Sequence, residues 1–330
     1  MRGRRLALWI APALAALLLW ANRRPPQATP SPPPAAPAPA LLRERAAAPA
    51  AASTLLQQAS SAYHARLFVD EDALVLVTQG GFALLRDGQA PEQHAIDLGP
   101  IALRQGASIL FWRAGALLQI SLDGADERRL ASLARPPQYL LASARGLAWI
   151  DAKPGAGASL EALSAGAVRS VHQTPDKVCA AVLREASVYA VLQSPDSSWR
   201  IQRVDLDGRQ QQQTEPHQGR PPALLALGPD GVYFYDGPER GVRRASFELD
   251  REESVLKNVI CSPLDVSNRV VCAQVGGLFD IPAPGNAPRF LTSERAGPIT
   301  TLAATEERVY WVAEHGTDQL VLRSLPLPPP

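Results

Sequence analysis

The chain is short of the residue types from which most catalytic and metal centres are assembled. Its 330 residues hold three cysteines and five histidines. Cys179, Cys261 and Cys272 form no C-x-x-C pair and no Cys/His cluster, so their spacing argues against a zinc site. His64, His94, His172, His217 and His315 contain no i, i+2 or i, i+4 pair, and no metal is expected. There is no G-x-S-x-G elbow, no phosphate-cradling Gly-rich loop and no H-E-x-x-H, and hence no expected cofactor. Charge of one sign is also missing: 33 Lys and Arg stand against 32 Asp and Glu. That balance provides no field to attract nucleic acid. The lysines are only Lys153, Lys177 and Lys257. Together with the abundant Ala and Pro, this arginine preference reads as a GC-rich coding bias rather than phosphate recognition.

Long apolar runs are absent except at the start. Arg2, Arg4 and Arg5 precede an uncharged stretch from Leu6 to Ala21, closed by Arg23 and Arg24. Its 16 residues are long for a signal-peptide core and slightly short for a comfortable span. Trp20 suits an interfacial belt, and cleavage after Ala21 would place the bulky Leu19 where a small residue belongs. Residues 1–22 are therefore expected to be an uncleaved signal-anchor helix, the alternative being a secreted protein after cleavage. The N-terminus would lie in the cytoplasm and the body in the periplasm of a bacterial inner membrane. Residues 23–52, dominated by Pro and Ala, cannot bury a core and favour extended polyproline II. About 25 such residues reach roughly 80 Å, enough for a spacer.

Beyond residue 52 a short apolar signal recurs seven times. It begins at Leu74 (LVLVT), Ile109 (ILFWR), Leu147 (LAWID), Val188 (VYAVL), Val232 (VYFYD), Val270 (VVCAQ) and Val309 (VYWVA). The steps are 35, 38, 41, 44, 38 and 39 residues. A period near 40 predicts an all-β, seven-bladed β-propeller over residues 53–330, with four strands per blade. In the last repeat Ile299–Ala304, Val309–Ala313 and Leu320–Leu325 read as the inner three strands. Pro326, Pro328, Pro329 and Pro330 then prevent a fourth. The stretch Ser53–Gln58 resembles the outer strand of blade 6, Pro288–Ser293. It is expected to close the ring as an N-terminal strand in the last blade, covering an edge that would otherwise invite aggregation.

Cys261 and Cys272 flank an expected hairpin with its turn at Asp265–Asn268, which sets the two cysteines opposite each other. Opposed positions lie within disulfide range. The alternative is two small apolar side chains packing in a blade. Cys179, with Ala190 as its expected cross-strand partner, should be a buried free thiol.

Leu147–Asp151, Val232–Asp236 and Val309–Val312 resemble the Tyr-Trp-Thr-Asp (LDL-receptor class B-like) blade repeat. They are followed by Leu118–Gly124 and Ile201–Gly208, which resemble the third strand and turn of that repeat, common in bacterial extracytoplasmic propellers. The resemblance spans residues 53–330 and is sharp in three or four blades. Thr78 and Gln274 replace the repeat aspartate in blades 1 and 6, and seven repeats differ from the six usual in the receptor members. What the resemblance implies is a bracing role between blades for Asp151 and Asp236.

Propeller ligands usually meet the face made by the loops between second and third strands and by the connections between blades. There the candidate binding residues are Arg113, Lys153, Asp196, Trp199, Glu239, Arg240 and His315. The loops of blades 3 to 5 are expected to be the longest. Trp199, in the polar loop Ser194–Trp199, is either an exposed anchor or a residue packed over the start of the third strand. Asp205-Leu206-Asp207-Gly208 begins like a calcium loop but lacks the later acidic ligand, so a β-turn is expected.

Two functions follow from these features. The first is a membrane-tethered, non-catalytic binding or scaffold module for a protein or cell-envelope polymer, expected to be a monomer. The second is an envelope enzyme, a lyase or hydrolase, with its site over the central channel. Inner-strand stretches such as Leu140–Ala142 and Leu224–Ala226 are small and apolar, and this favours binding.

Overall fold

Each second strand is an unbroken apolar run because both of its faces are buried. Leu74–Thr78 and Val270–Gln274 are buried at every position. Alternate side chains serve opposite neighbours. Leu74 and Leu76 pack against the last blade, whereas Val75 and Val77 pack against blade 2. Trp149 faces blade 2, and Ala148 and Ile150 face blade 4.

The computed structural model describes residues 52–59, 65–69, 73–153, 157–209, 211–262, 264–266, 269–274, 277–281, 288–294, 297–316 and 319–328. The expected anchor (1–22) and almost all of the Pro/Ala linker (23–52) lie outside them. No helix among the described residues is long and apolar enough to cross a membrane.

Seven four-stranded sheets are formed, six of them in simple sequential order. The seventh runs Ser53–Ala59, Gln319–Pro326, Arg308–His315, Ile299–Ala304, so the N-terminal strand is its outermost member. All pairings are antiparallel, and Leu56 lies opposite Leu322 in the closing pair. Seven apolar clusters fill the seven interfaces between successive blades, with Leu56 and Leu67 belonging to the one that joins blade 7 to blade 1. The outer strands carry the solvent-facing polar residues, as in Glu127–Ser132 and Gln211–Gln213.

Side chains near the channel tie blades to their neighbours. Gln105 donates to the Ser143 carbonyl at 2.8 Å, Gln138 to Val178 O at 2.8 Å and the Tyr139 hydroxyl to Cys179 O at 2.6 Å. Asp265 accepts from the Ala304 N–H at 2.7 Å. Pro100, Pro137, Pro175, Pro222 and Pro298 stand one to three residues ahead of inner strands. A proline at a strand start costs no ladder hydrogen bond.

Three expectations need correction. Leu264–Val266 is itself a strand, with Leu264 opposite Cys272, so Asp265 is a strand residue and not part of a turn. Cys261 precedes that strand, in a segment where Ser262 N–H still bonds Ala273 O. Its Cα lies 5.4 Å from that of Cys272, to which it is disulfide-bonded. Cys179 is free, but it occupies a bulge between Val178 and Ala180. The extra residue moves Ala190 opposite Ala181 and leaves the thiol half-buried. Finally, Lys153, expected on a loop between the second and third strands, is a strand residue, because the blade 3 hairpin continues to the pair Lys153–Gly157.

Candidate functional site

Antiparallel order places the second-to-third hairpin ends and the blade-to-blade connections on one face. Over blades 4 and 5 these segments are joined by a polar network. The connection entering blade 5 folds back on Trp199: Trp199 N–H donates to His217 O at 2.9 Å and His217 N–H to Trp199 O at 2.7 Å. Their rings stack with centroids 4.1 Å apart, and Phe234 meets the indole edge-on at 5.9 Å. His217 Nε2 lies 2.9 Å from Glu252 Oε1, whose other oxygen is 2.8 Å from Arg243. Arg243 and Arg240 both reach Asp236 Oδ2, at 3.2 and 3.1 Å. Arg240 also donates to the Gln218 carbonyl at 3.3 Å. The buried Asp236 carboxylate thereby holds the short helix Gly237–Arg240 against the incoming connection.

A second brace serves the entry to blade 4. Arg200 Nη2 lies 2.6 Å from the buried Asp176, and Nη1 donates to Ser194 Oγ at 3.0 Å. Asp196 accepts from the Ser198 hydroxyl at 2.7 Å and N–H at 2.9 Å, and these bonds hold its carboxyl below the usual range. These contacts place acids and bases in pairs.

Between the two braces opens a recess of about 500 Å³. Gln138, Tyr139, Lys177, Cys179, Gln193 and Arg220 line it, with Pro221 and Pro222 as a stiff wall. Burial raises the pKa of the Tyr139 hydroxyl and of the Cys179 thiol, so both stay protonated at neutral pH. No cluster of His, Cys, Asp and Glu able to hold a metal occurs among the described residues.

The expected site residues are scattered across this face. Asp196, Glu239 and Arg240 belong to the blade 4 and 5 loops, and Asp196 and Glu239 are exposed. Arg113 is in blade 2, 2.5 Å from Glu127. His315 ends the second strand of blade 7, opposite Gln319. Lys153 closes the blade 3 hairpin, and its side chain lies outside the described residues. Trp199 is fully buried, not exposed, because the His217 connection covers it. Asp151 sits opposite Ser159 in the blade 3 hairpin. The Asp205–Gly208 segment is a turn, with Gly208 N–H bonded to Asp205 O at 2.7 Å.

Sequence reasoning missed the recess. Its signal was the repeated Arg-Pro-Pro before two inner strands, Arg135-Pro136-Pro137 and Arg220-Pro221-Pro222.

No protein-family model and no curated protein matches the chain. Solved structures do. The chain is similar to the AfRom2 CNH domain, with a TM-score of 0.54 at 8% identity over 83% of this chain and 99% of that one. It is also similar to a chain of the S. cerevisiae assembly of a Dbp5 variant bound to Nup159, a Gle1 variant, IP6 and ADP. There the TM-score is 0.50 at 11% identity, over 87% and 99% of the two chains. At such identities the likeness establishes the propeller fold alone.

Proposed function

We propose that the chain is a non-catalytic binding or scaffold module, tethered to a bacterial inner membrane by residues 1–22 and displayed in the periplasm. Its partner, a protein or cell-envelope polymer, meets the loop face of blades 3 to 5. One observation carries this reading: Asp176, Asp236 and Glu252 of that face are each held in ion pairs with Arg200, Arg240, Arg243 or His217, while an open recess lies between these braces. A hydrolase or lyase site would need a base left free to take a proton. The likeness to the Tyr-Trp-Thr-Asp propellers supports the extracytoplasmic placement, as does the basic-flanked apolar start.

The test has two arms. Full-length protein should resist alkaline extraction from membranes, and residues 53–330 alone should not. Once a partner is isolated, Asp196→Trp with Glu239→Trp, which crowd the face, should weaken binding at least about tenfold, near 1.4 kcal/mol. The same change at Arg209 and Asp250, on the opposite face, should leave it unchanged. Alkaline release of the full chain removes the tether, and equal affinities remove the face.

A further inference from the structure

The recess at the entry to blades 4 and 5 has an unbalanced charge. Lys177 and Arg220 are its only ionised lining groups at neutral pH, and no carboxylate lines it. Both are exposed, and neither has an ion-pair partner among the described residues. Nearby acids are engaged elsewhere: Asp176 with Arg200, Asp196 with Ser198 and Asp236 with Arg240 and Arg243. Arg135, from the matching Arg-Pro-Pro before blade 3, is also exposed.

Such a recess favours an anion. Its walls indicate which kind. The amides of Gln138 and Gln193 and the prolines form a mixed polar and apolar lining. Leu224, next to the lining residue Ala223, is 41% exposed, an unusual place for a leucine. A sugar polymer would need an exposed aromatic platform, whereas the Tyr139 ring is half-buried and its hydroxyl is committed to Cys179 O.

We propose that this recess binds an acidic peptide segment, its carboxylates against Lys177 and Arg220 and an apolar side chain against Leu224. The inference rests on the binding role argued above and names the partner's chemistry.

The probes are a fluorescent peptide of about eight alternating Glu and Leu residues, its Gln/Leu counterpart and an oligogalacturonate, each titrated against the detergent-solubilised full chain. The acidic peptide should bind and its neutral counterpart should not. Lys177→Gln with Arg220→Gln should weaken binding at least about tenfold at an unchanged melting temperature, because both side chains are exposed. The charge-keeping pair Lys177→Arg with Arg220→Lys should retain it. Equal binding by the Gln variant, or binding of oligogalacturonate in place of the acidic peptide, overturns the proposal. If the peptide fails while Asp196→Trp with Glu239→Trp still abolishes partner binding, the binding role stands and only the acidic chemistry is wrong.

Discussion

The Ser53 hydroxyl meets the Ser324 hydroxyl at 3.1 Å, joining residues 271 positions apart. This contact lies in the strand pair that closes the ring. The edge strand Gln319–Pro326 is eight residues long and, without Ser53–Ala59, would expose its whole hydrogen-bonding edge. Deleting residues 1–60 should lower the melting temperature by at least about 5 °C, on a scale of about 2–4 °C per kcal/mol. Deleting residues 1–45 should leave it unchanged, and equal melting temperatures would contradict the closure.

Trp199 supports the fold and does not act as an exposed anchor. Its ring is enclosed by His217 and Phe234. Trp199→Ala should cost about 3–5 kcal/mol in urea denaturation. Trp199→Phe, which retains a ring against His217, should cost less. A stable Trp199→Ala protein that has lost only partner binding would restore the anchor reading.

Asp265 gives stability a pH dependence of defined sign. Burial pushes its carboxyl up to about 6, against the opposing hydrogen bond from Ala304. The folded state then holds the proton more tightly than the unfolded chain, whose carboxyl titrates near about 3.9. The stabilisation is present below about pH 4 and lost as pH rises through about 6. Asp265→Asn should flatten the profile of unfolding free energy over that window. An unaltered profile would assign the titration elsewhere.

The disulfide predicts a thiol count. Denatured, unreduced protein should show one free thiol, Cys179. Cys272→Ser should cost about 2–3 kcal/mol, the range for a short closed loop. Three free thiols would rule the bridge out.

The architecture was legible in the sequence because each second strand is buried on both faces. It therefore reads as a continuous apolar run, and seven such runs mark seven blades. Pro326 and Pro328 marked the open edge, and Ser53–Gln58 its cover. Local register was not legible. One extra residue at Cys179 shifts the pairing without altering the apolar pattern. In blade 6, Asp265 looks like a turn residue, yet it sits in a strand where Ala304 N–H satisfies it. Trp199 stayed open between anchor and packing because what covers it, the segment around His217, lies 18 residues further along the chain. The recess drew its wall from two connections and the ends of three strands, and only the doubled Arg-Pro-Pro hinted at it.

Site-specific photocrosslinking in intact cells tests the central claim most directly, that blades 3 to 5 present the binding face. A photoreactive residue at Asp196, Glu239 or Arg220 should capture the partner. The same residue at Arg209 or Asp250, on the opposite face, should not. Capture from Arg209 or Asp250 alone, or equally from both faces, would contradict the account.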